Sequence, residues 1–205
     1  MLTVHHLANS QSERIVWLCE ELGLPYELVR YEREESGAAP PDYKALHPAG
    51  TAPVIVDGSL RLAETGAIVE YIARRHGGGR LLLGPEHPDF AEYLFWSHYA
   101  NGTLLPALMT DYLSDRLGAP RMGGRTDRAF ALAEQRLGEA EWFAGDAFTA
   151  ADILMTFPLT RGRATLGRDI SASPNLLAYL KRIGERPAFR AAMAKAEPDR
   201  PPALD

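Results

Sequence analysis

Short runs of hydrophobic residues, most of them interrupted by polar ones, occur in the first third of the chain, and such runs are typical of short strands. The last two runs flank Asp57-Gly58, a pair that suits the positive φ values of a two-residue hairpin turn. The sequence therefore predicts four short strands, the last two joined as a hairpin. They lie at Leu2–Leu7, Tyr26–Tyr31, Val54–Val56 and Leu60–Leu62.

Helical spacing of apolar residues appears between and after these strands. Between the first two strands, apolar positions recur at i, i+3, i+4 and i+7, and Gly23 and Pro25 then stop the helix. These positions are Ile15, Leu18, Cys19 and Leu22. A second such face follows the hairpin, at Ala67, Ile68, Tyr71 and Ile72. One parallel βαβ crossover with one hairpin predicts a small α/β sheet covered by helices.

From Pro88 onward the strand pattern disappears and helical periodicity replaces it. The predicted helices cover roughly 89–116, 125–141, 152–165, 173–184 and 187–196. We expect Pro106 to kink the first of them. Residues 79–87 have the glycine and proline content of a linker. The prediction is an α/β domain at 1–78 followed by an all-α helical bundle domain at 88–205.

Charge and cysteine content narrow the class of protein. With 22 Lys and Arg against 27 Asp and Glu, the net charge of −5 argues against a nucleic-acid partner. The single cysteine, Cys19, excludes an internal disulfide and a two-cysteine redox motif. No stretch approaches the roughly 18 apolar residues of a membrane span. We expect a cytoplasmic protein that binds neither nucleic acid nor membrane.

The turn after the first strand is the first segment that suits chemistry. Asn9, Ser10 and Ser12 precede a helix, and helix N-termini attract negative charge, so a hydroxyl there can donate to a bound anion such as a thiolate. The alternative is that Ser12 only caps the helix. Strand alternation turns either His5 or His6 inward with no third ligand in register, so we expect no metal site.

Two further segments adjoin the predicted hairpin. Pro53 belongs at a strand start or in a tight turn, and a cis Ala52–Pro53 bond would aim the Ala52 backbone at an extended peptide. Its alternative is an ordinary turn proline. Thr65 is at a predicted N-cap, where free N–H groups bind a carboxylate, and Glu64 can meet an ammonium group. Together they suit an amino-acid head group, and the alternative is capping alone.

In this order the segments resemble the glutathione transferase family over nearly the whole chain. The resemblance rests on the spacing of Ser10 and Arg14, on Ala52-Pro53, on Glu64-Thr65, and on the capping-box pair Thr149 and Asp152, whose role we expect to be structural. It implies a thioredoxin-like N-terminal domain, a C-terminal helical domain and a homodimer. Glutathione is then the co-substrate, and no metal is needed.

The resemblance also implies a role for each matching residue. Ser10 would donate a hydrogen bond to the glutathione sulfur, with Asn9 and Ser12 as rivals for that contact. The cysteinyl backbone would bind at Ala52 and Pro53, and the γ-glutamyl end at Glu64 and Thr65. Lys44 or His47 would meet the glycyl carboxylate, beside Thr51, which stands where the family often has a lysine or glutamine.

The second substrate is expected to meet aromatic residues of the helical domain, in an apolar pocket between the domains. The pocket residues we expect are Tyr99, Trp96, Tyr112 and Arg161. Core packing is the alternative for the aromatic residues, and a solvated face or salt bridges are the alternative for Arg161 and Arg163. The implied function is conjugation of reduced glutathione to small electrophiles, with glutathione-dependent peroxide reduction beside it. The alternatives are a non-catalytic binding or carrier module and a cysteine-free, glutathione-dependent disulfide reductase.

Overall fold

The computed structural model describes residues 1–121 and 123–205, which form two compact units. The first unit comprises Met1–Arg80 with Arg186–Pro201, and the second comprises Leu81–Glu185 with Pro202–Asp205. The contiguous domains expected from the sequence differ from these units, because Arg186–Pro201 belongs with the first. The helices and strands are, in chain order, β1 (Leu2–Leu7), α1 (Glu13–Leu22), β2 (Glu27–Tyr31), α2 (Pro41–Lys44), β3 (Val54–Asp57), β4 (Leu60–Ala63), α3 (Thr65–Arg75), α4 (Phe90–Tyr99), α5 (Leu105–Leu117), α6 (Arg125–Glu139), α7 (Ala150–Phe157), α8 (Arg163–Thr165), α9 (Pro174–Glu185) and α10 (Pro187–Ala196).

The first unit is built on a four-stranded mixed sheet with the strand order β2-β1-β3-β4. Strands β1 and β2 are parallel, whereas β3 runs antiparallel to both β1 and β4. The predicted βαβ crossover and hairpin are confirmed. Apolar residues of α1 and α3 are buried, and the two helices pack on each other.

Helix α10 packs against α1 within this unit. The rings of Trp17 and Phe189 meet edge to face with centroids 4.8 Å apart. Charged pairs flank this contact, with Arg186 Nε 2.7 Å from Glu21 Oε1 and Lys195 Nζ 2.6 Å from Glu20 Oε1. Periodicity predicted this helix correctly at 187–196, but it carries no information about which helix it packs on.

Prolines interrupt the long helices of the second unit. The predicted helix at 89–116 is divided into α4 and α5 by a π-helical segment, Ala100–Leu104, which ends two residues before Pro106. A proline has no N–H to donate and its ring displaces the preceding turn, which favours a widened segment there. The predicted helix at 152–165 is likewise divided by a π-helical segment, Pro158–Gly162.

A buried capping box begins α7, as predicted. Thr149 N donates to Asp152 Oδ2 at 2.9 Å, and Ala151 N donates to Thr149 Oγ1 at 3.3 Å. The other carboxylate oxygen of Asp152 accepts from Phe143 N at 3.0 Å, which ties the preceding loop to the helix. Burial raises the pKa of Asp152 to about 6, although the hydrogen bonds from Phe143 and Thr149 act in the opposite direction.

We expect Asp152→Ala to lower the free energy of unfolding by about 3 kcal/mol, because it removes a cap and leaves two buried N–H groups without this acceptor. Urea denaturation followed by tryptophan fluorescence measures the change. Asp146→Ala is the matched control, since Asp146 is exposed in the same loop region. Equal midpoints for the two variants would contradict the structural role of Asp152.

Candidate functional site

Strand register brings three separate chain segments to one edge of the sheet. His5 near the end of β1 pairs with Val54 at the start of β3, and Val54 pairs with Ala63 at the end of β4. The turn after β1, the step before β3 and the turn after β4 are therefore neighbours. The Ala52–Pro53 peptide before β3 is cis, as the sequence suggested.

An apolar cluster supports this edge of the sheet. Leu7, Tyr43, Val54 and Ala63 are buried together, and the Tyr43 hydroxyl donates to the carbonyl of His5 at 3.4 Å. This packing fixes the short helix α2 beside the site. The two residues expected to meet a glycyl carboxylate lie at the end of α2 and just after it. Lys44 is exposed and His47 is half-buried.

Both serines of the turn after β1 point into the protein. The Ser10 hydroxyl lies 2.7 Å from the carbonyl oxygen of Leu7 and 2.7 Å from Ser12 Oγ. Ser12 Oγ accepts from Leu7 N at 3.1 Å and lies 2.8 Å from His6 Nδ1. Ser12 is the N-cap residue of α1, yet its side chain makes no cap hydrogen bond, so the capping interpretation is wrong. Both hydroxyl groups therefore have acceptors within the protein.

Asn9 is the exposed residue of this turn and has a positive φ of 52°. Its N–H donates to Glu197 Oε1 at 2.5 Å, and its carbonyl accepts from Arg33 at 3.1 Å. The guanidinium of Arg33 also donates to the carbonyl of Ala8 at 2.9 Å. Sequence reasoning missed Arg33 and Glu197, because neither residue lies in a motif and both reach the turn only through the tertiary fold.

The turn after β4 begins α3 and is joined to the first turn by side chains. The N-cap of α3 is Glu64, with φ 73°, so the predicted N-cap at Thr65 is wrong by one residue. Glu64 is exposed, whereas the buried Thr65 hydroxyl donates to Gln11 Oε1 at 3.3 Å and accepts from Arg14 at 3.4 Å. Arg14 also donates to Gln11. Desolvation lowers the pKa of Arg14 to about 9, which leaves the guanidinium charged at neutral pH.

The residues expected in an acceptor pocket lie on several elements of the second unit. Trp96 and Tyr99 of α4 are in contact, with ring centroids 5.2 Å apart. Trp96 is buried and donates its indole N–H to Glu92 at 3.0 Å, which is a packing role. Tyr112 lies on α5, where its hydroxyl accepts from Arg116 at 2.9 Å. Trp96 also lines a cavity of about 220 Å³.

The arginines near the second π-helical segment are buried, so the solvated-face interpretation is wrong. Arg161 lies within the segment itself. Arg163 donates to backbone carbonyls, with Nε 2.7 Å from the oxygen of Leu159 and a second nitrogen bonded to Asp205. These carbonyl contacts give Arg163 a structural role.

The single cysteine is shielded from solvent. Cys19 is fully buried on α1, and desolvation raises the pKa of its thiol to about 12. In the part of the chain that the structure describes, no group of three or more His, Cys, Asp or Glu side chains could hold a metal ion. Of the described helices, none has the length and apolar character needed to cross a membrane.

The chain has a thioredoxin-like sheet followed by a helical unit, and a cis-proline step and the start of a helix lie at one edge of that sheet. Comparisons with known proteins find the same two-part organisation. The family models for the glutathione S-transferase N-terminal and C-terminal domains match residues 1–74 and 119–187. Glutathione S-transferase 3 of Schizosaccharomyces pombe is 32% identical, over 96% of this chain and 88% of that protein.

Two further comparisons span nearly whole chains. The structure of a glutathione S-transferase from Actinobacillus pleuropneumoniae matches with a TM-score of 0.87 and 32% identity, covering 100% of this chain and 95% of that one. The disulfide-bond oxidoreductase YfcG of Escherichia coli is 27% identical over 96% of both chains. The chain therefore belongs to the glutathione S-transferase family, and it is an enzyme of that class.

The environment of Cys19 gives a direct test of which thiols are available. Because the reactive form of cysteine is the thiolate, a buried thiol with a pKa of about 12 is unreactive at neutral pH. We expect iodoacetamide to leave Cys19 unmodified in the native protein and to alkylate it after denaturation, as measured by intact mass. Rapid alkylation of the native protein would show that α1 opens or that the thiol is accessible.

Proposed function

We propose that the edge formed by the turn after β1, the cis Ala52–Pro53 step and the start of α3 binds reduced glutathione and activates its thiol for attack on small electrophiles. The observation that carries this proposal is the register of His5, Val54 and Ala63, which aligns the three segments. A tripeptide with two carboxylates, an ammonium group and a thiol needs contacts spread over such an edge.

The ends of glutathione are assigned to charged or dipolar groups. The first N–H groups of α3 favour a carboxylate, and the exposed Glu64 carboxylate beside them favours the ammonium group of the γ-glutamyl end. The Ala52 backbone, just before the ladder begins at Val54, offers peptide hydrogen bonds to the cysteinyl residue. Lys44 and His47 are assigned to the glycyl carboxylate, with the exposed Thr51 adding only a short polar side chain.

We assign the sulfur contact to Asn9 rather than to Ser10. The Asn9 side chain is on the exposed side of the turn, whereas the Ser10 hydroxyl already donates within the protein. An amide N–H can donate to a thiolate, and the N-terminal end of α1 adds partial positive charge. Both effects favour the thiolate over the thiol and so lower the pKa of the bound glutathione.

The thiolate can then react with several classes of acceptor. At an activated aromatic carbon the sulfur forms a C–S bond and chloride leaves with its electron pair. With a hydroperoxide the sulfur takes the terminal oxygen, the alcohol leaves, and a second glutathione reduces the sulfenic acid to give glutathione disulfide and water. Both reactions need the same activated thiolate, so one sulfur contact supports them.

Disulfide reduction is the second candidate function, and the match to a disulfide-bond oxidoreductase favours it. The buried Cys19 cannot supply a protein thiol, so two glutathione molecules must provide both electrons. The first thiolate attacks the disulfide and releases one thiol, and the second glutathione resolves the mixed disulfide to give glutathione disulfide and the other thiol.

We expect Asn9→Ala to lower kcat/KM by about a hundredfold, because one donor to a developing or bound charge is lost, whereas Ser10→Ala retains most of the activity. The assays are calorimetric titration with reduced glutathione, then turnover with a chlorinated nitroaromatic, a hydroperoxide and a small disulfide. A larger loss of kcat/KM in Ser10→Ala than in Asn9→Ala would instead indicate that Ser10 makes the sulfur contact.

The same assays test the function as a whole. Glutathione binding with turnover of the nitroaromatic or the hydroperoxide supports transferase or peroxidase chemistry, and turnover of the disulfide alone supports the second candidate. Saturable binding without any turnover would instead indicate a carrier. Absence of glutathione binding would contradict the proposed site.

We further propose that the protein is a homodimer, formed through α5. Met109, Leu113 and Leu117 are spaced four residues apart on one face of this helix, and each is at least half exposed. Single exposed apolar residues are common, but a continuous row along a helix favours association. A two-fold axis lets a second copy cover the row with the same row.

We expect Leu113→Glu to raise the dimer dissociation constant by about a hundredfold, because a charge would be buried at the centre of the row. Sedimentation velocity over a concentration series measures the constant. Leu60→Glu is the control, since Leu60 is an exposed leucine on β4 outside this face. A wild-type protein that is monomeric at high concentration would contradict the proposal.

A further inference from the structure

The conformation of Asn9 needs an external support. At φ 52° the backbone is in the left-handed region, which non-glycine residues adopt at a cost in free energy, although asparagine tolerates it better than most. A solvent-exposed turn of this kind relaxes unless neighbouring groups fix it. Such a support must act on the peptide groups on both sides of Asn9.

Two charged side chains make hydrogen bonds to these peptide groups. Glu197 accepts from the Asn9 N–H at 2.5 Å, while Arg33 donates to the Asn9 carbonyl at 3.1 Å and to the Ala8 carbonyl at 2.9 Å. Hydrogen bonds to ionised groups are stronger than neutral ones. The Arg33–Glu197 pair, hereafter the turn clamp, thus fixes both peptide planes that determine where the Asn9 side chain points.

Glu197 is itself held in place. It is buried, its carboxylate lies 3.3 Å from the buried His6 Nε2, and its own N–H donates to Met193 O at the end of α10. Helix α10 is anchored on α1 by Trp17 and Phe189. The carboxylate therefore links the end of α10 directly to the turn, although Glu197 and Asn9 are 188 residues apart in the sequence.

The row formed by Ser12, His6 and Glu197 resembles a Ser–His–acid triad in its composition, but its geometry excludes that chemistry. Ser12 and His6 are completely buried, so no substrate reaches the hydroxyl. The hydroxyl also contacts Nδ1 and the carboxylate faces Nε2, which is the reverse of the arrangement in serine hydrolases. The row holds the turn and the carboxylate in place.

We infer that Glu197 and Arg33 are positioning residues, which set the Asn9 amide toward the glutathione sulfur without touching the substrate. This inference rests on the proposed function, because it assumes that Asn9 makes the sulfur contact. Through Glu197, the segment after α10 then determines how far the pKa of the glutathione thiol is lowered.

The test compares Glu197→Ala with Glu197→Gln, since glutamine retains an acceptor oxygen for the Asn9 N–H. The readouts are the pKa of bound glutathione, from thiolate ultraviolet absorbance against pH, and kcat and KM with a nitroaromatic acceptor. We expect Glu197→Ala to raise that pKa and to lower kcat about tenfold, with a smaller change in KM for glutathione, because misplaced donors act mainly on the reacting thiolate. Glu197→Gln should restore most of the loss.

Lys195→Ala is the matched control on the same helix. It removes the ion pair between α10 and Glu20 but leaves the turn clamp intact, so both readouts should stay at wild-type values. Because truncation of the buried Glu197 also destabilises the first unit, Arg33→Ala gives an independent route through a half-buried residue. Thermal unfolding of each variant verifies that the fold persists at the assay temperature, and Arg33→Ala should show the same shift in the pKa.

The outcomes separate the inference from the function on which it rests. If Asn9→Ala leaves the pKa of bound glutathione unchanged, the sulfur assignment fails. If Asn9→Ala raises that pKa while folded Glu197→Ala and Arg33→Ala do not, the assignment stands and the inference is overturned. An equal loss in Glu197→Ala and Glu197→Gln would also overturn it.

Discussion

The antiparallel pairing of β3 with β1 is the constraint on which the candidate site depends. It places the start of β3 beside the end of β1, so the cis-proline step faces the turn that follows β1. The parallel pairing of β1 with β2 adds the segment after Tyr31 to the same edge, which is how Arg33 reaches the turn. A change of register by one residue would turn the buried side chains of these strands to the opposite face.

The charged groups at this edge are either exposed or buried. Glu64 and Lys44 are exposed, whereas Arg14 and Glu197 are buried among hydrogen-bond partners. Burying an ion is costly unless its hydrogen bonds are made, so Arg14 and Glu197 each favour one arrangement of the turn that they contact. The charges of Glu64 and Lys44 are exposed to solvent and do not hold the turns in place.

Much of the fold was predictable from local sequence signals. The strands, the Asp57-Gly58 hairpin, the capping box at Thr149 and the irregularity before Pro106 each depend on residues within a few positions of one another. The directions of the Ser10 and Ser12 hydroxyls were not predictable, because they depend on the buried His6 ring.

Tertiary partners account for the other differences. The amphipathic pattern of α10 fits any apolar surface, and only the fold shows that α1 provides it. Arg163 could not be identified as buried, because the backbone carbonyls that bind it come from Leu159 and from the end of the chain. The sequence therefore identified candidate residues more readily than it predicted where their side chains point.

The discontinuity of the first unit also has a consequence for biosynthesis. Ribosomes release the chain from its N-terminus, so the sheet and the turn at Asn9 emerge before the helical unit is made. Glu197 is translated only after residues 81–185 of the second unit, and until then the turn lacks one of its two supports. The turn at Asn9 is thus synthesised early, but it acquires its full set of hydrogen bonds only after the helical unit has been made.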